Sequence, residues 1–140
     1  MSGLVRFGIS MDDHLLNQFD ELIQKRGYSN RSEAIRDLVR EQLVQEEWSE
    51  EDQSEETVGT ITLIFDHHKR ELMDHLTKHQ HQHHNSVISS MHVHLDHDNC
   101  LEVLAVRGTA HDIKKLASDL ISRKGVKHGK LAMTSMGKNL

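Results

Sequence analysis

Apolar and polar residues alternate over 5–10, VRFGIS, so that Phe7 and Ile9 share one side and Arg6, Gly8 and Ser10 the other. That period of two predicts a short strand with one polar face. The period then lengthens. In MDDHLLNQFDELIQKRG (11–27), Leu15, Leu16, Phe19, Leu22 and Ile23 form a helical stripe, with Asp12 or Asp13 placed to cap its start and Gly27 to end it. A second helix opens at SNRSEAIRDLVREQLVQEEW, where Asn30 followed by Glu33 has capping-box spacing and Ile35, Leu38, Val39 and Leu43 make the apolar face. One strand and two helices cannot bury their apolar faces alone, so this half is expected to dimerise.

Residues 45–57, QEEWSEEDQSEET, hold seven acidic residues and one tryptophan, read as a domain boundary: a continuing helix end or a solvated linker. Beyond it the pattern is strand (57–65), helix (67–84), strand (86–95), strand (100–108), helix (109–125), strand (126–134). Leu72, Met73 and Leu76 mark the inner side of the first helix, and Ile113, Leu116, Ala117, Leu120 and Ile121 that of the second. A βαββαβ order is the ferredoxin-like pattern, an antiparallel sheet with both helices on one face. The expected fold class is therefore α+β, with an N-terminal domain at 1–48, an acidic linker at 49–56 and a ferredoxin-like domain at 57–140.

The size, 140 residues with 36% hydrophobic, allows one ordinary domain or two small ones. One cysteine excludes an internal disulfide. The N-terminus lacks the apolar run of a signal peptide, and no segment approaches the ~20 apolar residues of a membrane span, so a cytoplasmic protein without a membrane partner is expected. Thirteen histidines change the picture, because neutral imidazole is the commonest metal ligand.

The histidines matter most in MHVHLDHDNC (91–100). His92 and His94 share a strand face, opposite Val87, Met91, Val93 and Leu95. The apolar side is expected to cover the domain's helices, leaving the histidine side open. If the hairpin turns about His97, residue 94 stands opposite 100 and 92 opposite 102, so His92, His94 and Cys100 converge with Glu102 beside them. Glu102 can then fix a histidine's tautomer from behind. A slip of one residue would send Cys100 into the core and end the case for a metal site, and a thiol turned inward beneath the helices would collapse it likewise. Candidates for a fourth ligand lie in HQHQHH: His79 and His83 on the inner stripe, His81 and His84 away from it. An outward His81 is placed to reach a neighbouring chain. Such a donor set suits Ni(II) or Cu(II) in square-planar geometry and Zn(II) in tetrahedral geometry. A site closed by four protein ligands has no position for a substrate, which points to sensing, and no paired general acid and base or glycine-rich phosphate loop argues for an enzyme.

Arginine, serine and a small residue on one strand face resemble a reader of base edges, since paired strands of a dimer fit the major groove. Against this, residues 1–47 hold six basic and nine acidic residues, where DNA-binding domains normally show a basic excess.

The strand RFGIS, the runs RGYSNRSEAIRDLVRE and DHHKREL, the cluster QHQHH and the segment MHVHLDHDNCLE together resemble the nickel-responsive regulator family, NikR, over almost the full length. The resemblance implies a ribbon-helix-helix DNA-binding domain joined to an ACT-like βαββαβ domain, assembled as a homotetramer (a dimer of dimers) on a palindromic double-stranded operator. It implies one Ni(2+) per subunit, square-planar, held by His92, His94 and Cys100 of one chain and His81 of another. It implies that Arg6 and Ser10 face bases, that Glu33 and Asp37 help hold a second cation, and that Lys69 and Arg70 approach the DNA backbone. Gly8 departs from the family's threonine or serine and offers no side-chain contact, so operator sequence does not carry over. Gln82 interrupts the histidine cluster but leaves His81 in place. The rival expectations are a nickel buffering or delivery protein without sequence-specific DNA binding, and an ACT-type small-molecule sensor.

Overall fold

The computed structural model describes residues 3–49, 55–69, 74, 78 and 86–140. The chain divides into two compact units, Met1–Glu41 and Gln42–Leu140.

In the first unit, α1 (Asp13–Lys25) is capped by Asp12, whose side chain accepts from the Leu15 amide at 2.9 Å. It ends in a Schellman motif: Tyr28 N–H donates to Ile23 O and Gly27 N–H to Gln24 O, which requires the left-handed Gly27 (φ 82°). α2 (Arg31–Ser49) starts at the expected cap, where Asn30 Oδ1 accepts from the Glu33 amide at 2.9 Å. The acceptor that was expected to be reciprocal differs, because the Glu33 carboxylate takes a bond from Ser29 Oγ at 3.2 Å. Arg31 clamps α2 to α1 through two bonds to Asp20, at 2.8 and 2.9 Å.

The expected strand at 5–10 is not a strand in the single chain: residues 3–12 carry no ladder. A strand needs a ladder partner, and the described residues of this unit supply none for it. Phe7 is 76% exposed, and Leu15, Leu22, Leu38, Val39 and Leu43 are also open to solvent. These are the residues whose stripes defined the elements. Ile23 is buried and Leu16, Phe19 and Ile35 are half-buried, so each stripe is only partly covered in the single chain.

The second unit contains β1 (Thr57–Asp66), β2 (Val87–His94), β3 (Asn99–Gly108), α3 (Ala110–Ile121) and β4 (Val126–Met133). The four strands form one antiparallel sheet in the order β2-β3-β1-β4, the order of a ferredoxin-like sheet. The expected helix at 67–84 lies mostly outside the described residues. α3 is capped by Thr109, which accepts from the Asp112 amide, and buries the predicted stripe of Ile113, Leu116, Ala117 and Leu120. No described helix is long and apolar enough to cross a membrane.

The first part of the acidic run, up to Ser49, is helical. α2 continues to Ser49, and Trp48 is only 2% exposed, packed in the core of the second unit with Val44. Its indole N–H donates to Thr134 O at 2.7 Å, and Lys114 Nζ donates to its carbonyl. Residues 50–54 lie outside the described part of the chain.

Register and face have different outcomes. The β2–β3 pairing sets His94 opposite Cys100 and His92 opposite Glu102, as the hairpin midpoint predicts. The open-face expectation is overturned. Cys100, Leu104 and Val106 of β3 cluster with Ile61, Leu63 and Phe65 of β1 and with the inward residues of α3. Cys100, Glu102, His92 and His94 therefore belong to the helix-covered side of the sheet. Met91 and Leu95, expected beneath the helices, are 56% and 51% exposed. The large side chains of the two central strands decide which side is covered, and β2, an edge strand, follows them by register.

Candidate metal centre

The centre is built at the end of the covered face where β1, β2 and β3 meet the DHDN turn. Asp96 fixes that turn: its carboxylate accepts from the Asp98 and Asn99 amides and from the Asn99 side chain, at 2.8–3.1 Å. The bond from the Asn99 side chain, then the two amides, hold its carboxyl below the usual value. The turn in turn sets the β2–β3 register on which the donors depend.

Cys100 Sγ lies 3.3 Å from His94 Nδ1. Two donors at about 2.0 and 2.3 Å from a shared ion stand about 3.1 Å apart at a right angle and about 3.5 Å apart at a tetrahedral one, so the observed separation fits a common ion. The thiol is fully buried. Burial pushes its pKa up, with the carboxylates of Asp96 and Glu102 adding to the effect. An inward thiol does not close the site, contrary to the sequence-based expectation. Cys100 sits at the end of the sheet, where one side of the sulfur meets the core and the other meets imidazole.

His92 stands next to His94, with ring centroids 5.1 Å apart. Its Nδ1 lies 2.8 Å from Glu102 Oε2, a carboxylate that is itself buried. With Glu102 accepting from Nδ1–H, Nε2 is left as the lone-pair nitrogen, the arrangement expected behind a ligating histidine. Phe65 packs edge-on against the same ring at 5.8 Å. Glu102→Ala is expected to lower nickel affinity about 10–100-fold without changing the number of ions bound, as measured by competition with a chelator. Unchanged affinity would show that Glu102 does not orient His92.

A residue that sequence reasoning left without a role also converges here. His67 follows β1, and its ligand atom lies within 4.8 Å of those of His94 and Cys100. Its Nδ1 is buried with no hydrogen-bond partner among the described residues. An orphaned imidazole nitrogen beside a thiol and a second imidazole is the chemistry of a cation site. The missed signal was parity: Ile61, Leu63 and Phe65 point to the covered side, and position 67 continues that row. His81 lies outside the described residues, as do His79, His83, His84 and Arg70.

The remaining expected residues are placed individually. Arg6, Gly8 and Ser10 are exposed on the extended N-terminal segment, and Lys69 is exposed just after β1. Glu33 accepts from Ser29. Asp37 accepts from the Tyr28 hydroxyl at 2.7 Å and pairs with Arg40 at 3.3 Å, and the bond to Asp37 raises the Tyr28 pKa.

Two family descriptions match the chain in order: "Ribbon-helix-helix protein, copG family" over residues 5–46 and "NikR C terminal nickel binding domain" over residues 58–134. Proteins named as nickel-responsive regulators from Geobacter metallireducens and Geobacter sulfurreducens are each 59% identical over 140 residues, covering 100% of this chain and 99% of theirs. One from Solibacter usitatus is 55% identical over 137 residues, covering 98% of this chain and 97% of its own. These relatives carry the names of regulators, not of enzymes. Matched by both models and by relatives along its whole length, the chain belongs to the nickel-responsive regulator family, a ribbon-helix-helix domain followed by an α+β, ACT-like nickel-binding domain.

Proposed function

We propose that the protein is a cytoplasmic transcriptional regulator that binds its operator when loaded with Ni(II). Each subunit takes one ion, held by His92, His94 and Cys100 together with His81 of the partner subunit. The observation that carries this reading is the 3.3 Å approach of His94 Nδ1 to Cys100 Sγ, with His92 beside it and held from behind by Glu102. One thiolate and three imidazoles suit square-planar Ni(II). When bound, the ion would supply coordinate bonds that link donors from separate chains.

The chain's own residues do the rest. Asp96 locks the hairpin, the register brings His94 to Cys100, and Glu102 holds His92 with Nε2 outward. In the ribbon domain, Arg6 and Ser10 read base edges from a paired strand, Gly8 allows close approach without a side-chain contact, and Lys69 and Arg70 approach the phosphates. Glu33 and Asp37 contribute to a second cation site in the DNA-bound form. A shared ion shifts the assembly only by its differential affinity for one arrangement. The proposed arrangement is a homotetramer in which two ribbon dimers reach the two half-sites of a palindrome, and by linkage DNA tightens nickel binding by the same factor. Domain limits of 1–48 and 57–140, joined at 49–56, complete the proposal.

The test is a gel shift on upstream regions of nickel-uptake genes with and without Ni(II). Wild type is expected to shift DNA only with the ion, and His94→Ala to fold and assemble yet lose the response. A His94→Ala protein that responded like wild type would remove His94 from the site.

Acidification is expected to release the metal. The Cys100 thiol is raised above its ordinary value, so it is protonated around neutrality and must lose its proton to bind. Affinity therefore rises by about one logarithmic unit per pH unit through the neutral range from this group, until pH reaches the raised thiol pKa. Chelator competition at several pH values checks this, and a flat profile would exclude the thiol as a ligand.

A further inference from the structure

β4 is irregular at the end of the sheet where the donors lie. Ile64 of β1 stands opposite His128 and Phe65 opposite Val126, so Lys127 has no place in the ladder and is the extra residue of a β-bulge. A bulge bends its strand and re-aims a side chain. Here the redirected side chain is that of Lys127, whose Nζ passes the end of β1 and donates to Asn99 Oδ1 at the start of β3. β3 and β4 are not neighbours in the sheet, since β1 lies between them. The bond therefore joins two strands that no ladder joins.

Asn99 is the residue before Cys100, and each of its polar groups is engaged. Its backbone N–H donates to Asp96 Oδ1 at 2.8 Å, and its side-chain amide donates to the same carboxylate at 3.0 and 3.1 Å. Its backbone carbonyl accepts from the Leu95 amide at 3.0 Å, and its side-chain oxygen takes the lysine. Strand alternation puts the Asn99 side chain on the opposite side of the sheet from the thiol. Lys127, Asn99 and Asp96 thus make a chain of bonds behind the donor pair, from the edge strand through the turn to the residue that precedes a sulfur donor.

We infer that Lys127 is a positioning residue for nickel: through Asn99 it holds the backbone at Cys100, so that the thiol and His94 stand at their mutual separation before an ion arrives. Asp96 fixes the turn within its own hairpin, whereas Lys127 ties that hairpin to the far edge of the sheet. Donors ordered beforehand lose less freedom on binding, and removing a partner outside the ligand set typically costs about 10–100-fold in metal affinity. The inference rests on the proposed nickel reading of the centre.

The experiment uses the full chain, first metal-free and then with Ni(II) alone. Wild type is compared with Lys127→Met, which keeps an unbranched apolar stem and removes the donor, and with Lys127→Arg, which restores a donor of similar reach. In the metal-free proteins, hydrogen exchange of the 95–99 hairpin amides is expected to be faster in Lys127→Met and close to wild type in Lys127→Arg. The urea midpoint is expected to move little, because Lys127 is exposed. With Ni(II), Lys127→Met is expected to bind about tenfold more weakly in chelator competition and to show a shifted thiolate-to-nickel band, and Lys127→Arg to return both toward wild type. Unchanged affinity and band in Lys127→Met would overturn the positioning role, whether or not the hairpin exchanges faster or the urea midpoint falls. A wild-type protein without a thiolate band would refute the nickel reading itself and remove the inference with it.

Discussion

Cys100→Ser is expected to abolish the thiolate-to-nickel band and to weaken nickel binding by more than about a hundredfold, beyond the upper end of what losing an outer-shell partner does. The sulfur is the one soft donor in the set and lies 3.3 Å from His94 Nδ1. A serine hydroxyl keeps its proton at neutral pH and offers a harder, weaker donor. Folding is expected to survive, because the new hydroxyl is nearly the same size and can donate to the imidazole nitrogen that faced the sulfur. Circular dichroism of the metal-free variant would match wild type, and the operator gel shift would no longer respond to nickel. A variant that kept both band and affinity would move the metal away from Cys100 altogether.

Phe65→Ala is expected to destabilise the C-terminal unit by about 3–5 kcal/mol, the range for emptying a large aromatic site in a packed core. Phe65 is fully buried near the end of β1, stands opposite Cys100 in the ladder and touches the His92 ring. Few neighbours can collapse into the gap, since the positions around it belong to the sheet ladder and to α3. Against a typical domain stability of about 5–15 kcal/mol, much of the population would unfold under mild denaturant. Urea titration of the metal-free protein measures the change. Nickel would restore part of the loss by binding only the folded form. A shift within about 0.5 kcal/mol, the range of a surface substitution, would mean that Phe65 does not hold this corner together.

Much of this corner was legible in the sequence because a tight hairpin has simple arithmetic. Once the turn is centred on His97, the pairs 94–100 and 92–102 follow, and both are observed. The α3 stripe and the strand limits were legible for a related reason: each follows from a periodicity strong enough to outweigh its neighbours. The side of the sheet was not. β2 offered Met91 and Leu95 as its apolar row, but an edge strand does not choose its own face, and Phe65, Leu63 and Leu104 on the central strands made the choice. Trp48 was hidden by charge. Seven acidic neighbours concealed one side chain that docks into the core. The expected strand at 5–10 has no counterpart in the single chain, because a strand exists only in a ladder and residues 3–12 have no ladder partner among the described residues. His67 was not legible because it lies past the end of β1, where the alternation of Ile61, Leu63 and Phe65 gives way to a polar turn.

The chain holds one tryptophan and one tyrosine. Trp48 is sealed in the C-terminal unit, its indole bound to Thr134, while Tyr28 belongs to the N-terminal unit and binds Asp37. Each unit thus carries its own native fluorophore. Red-edge excitation isolates indole emission, which reports solvent reaching the interior of the C-terminal unit, whereas phenol emission follows loosening of the helical pair in the N-terminal one. The order in which the two units melt is therefore readable by optical spectroscopy, without a label.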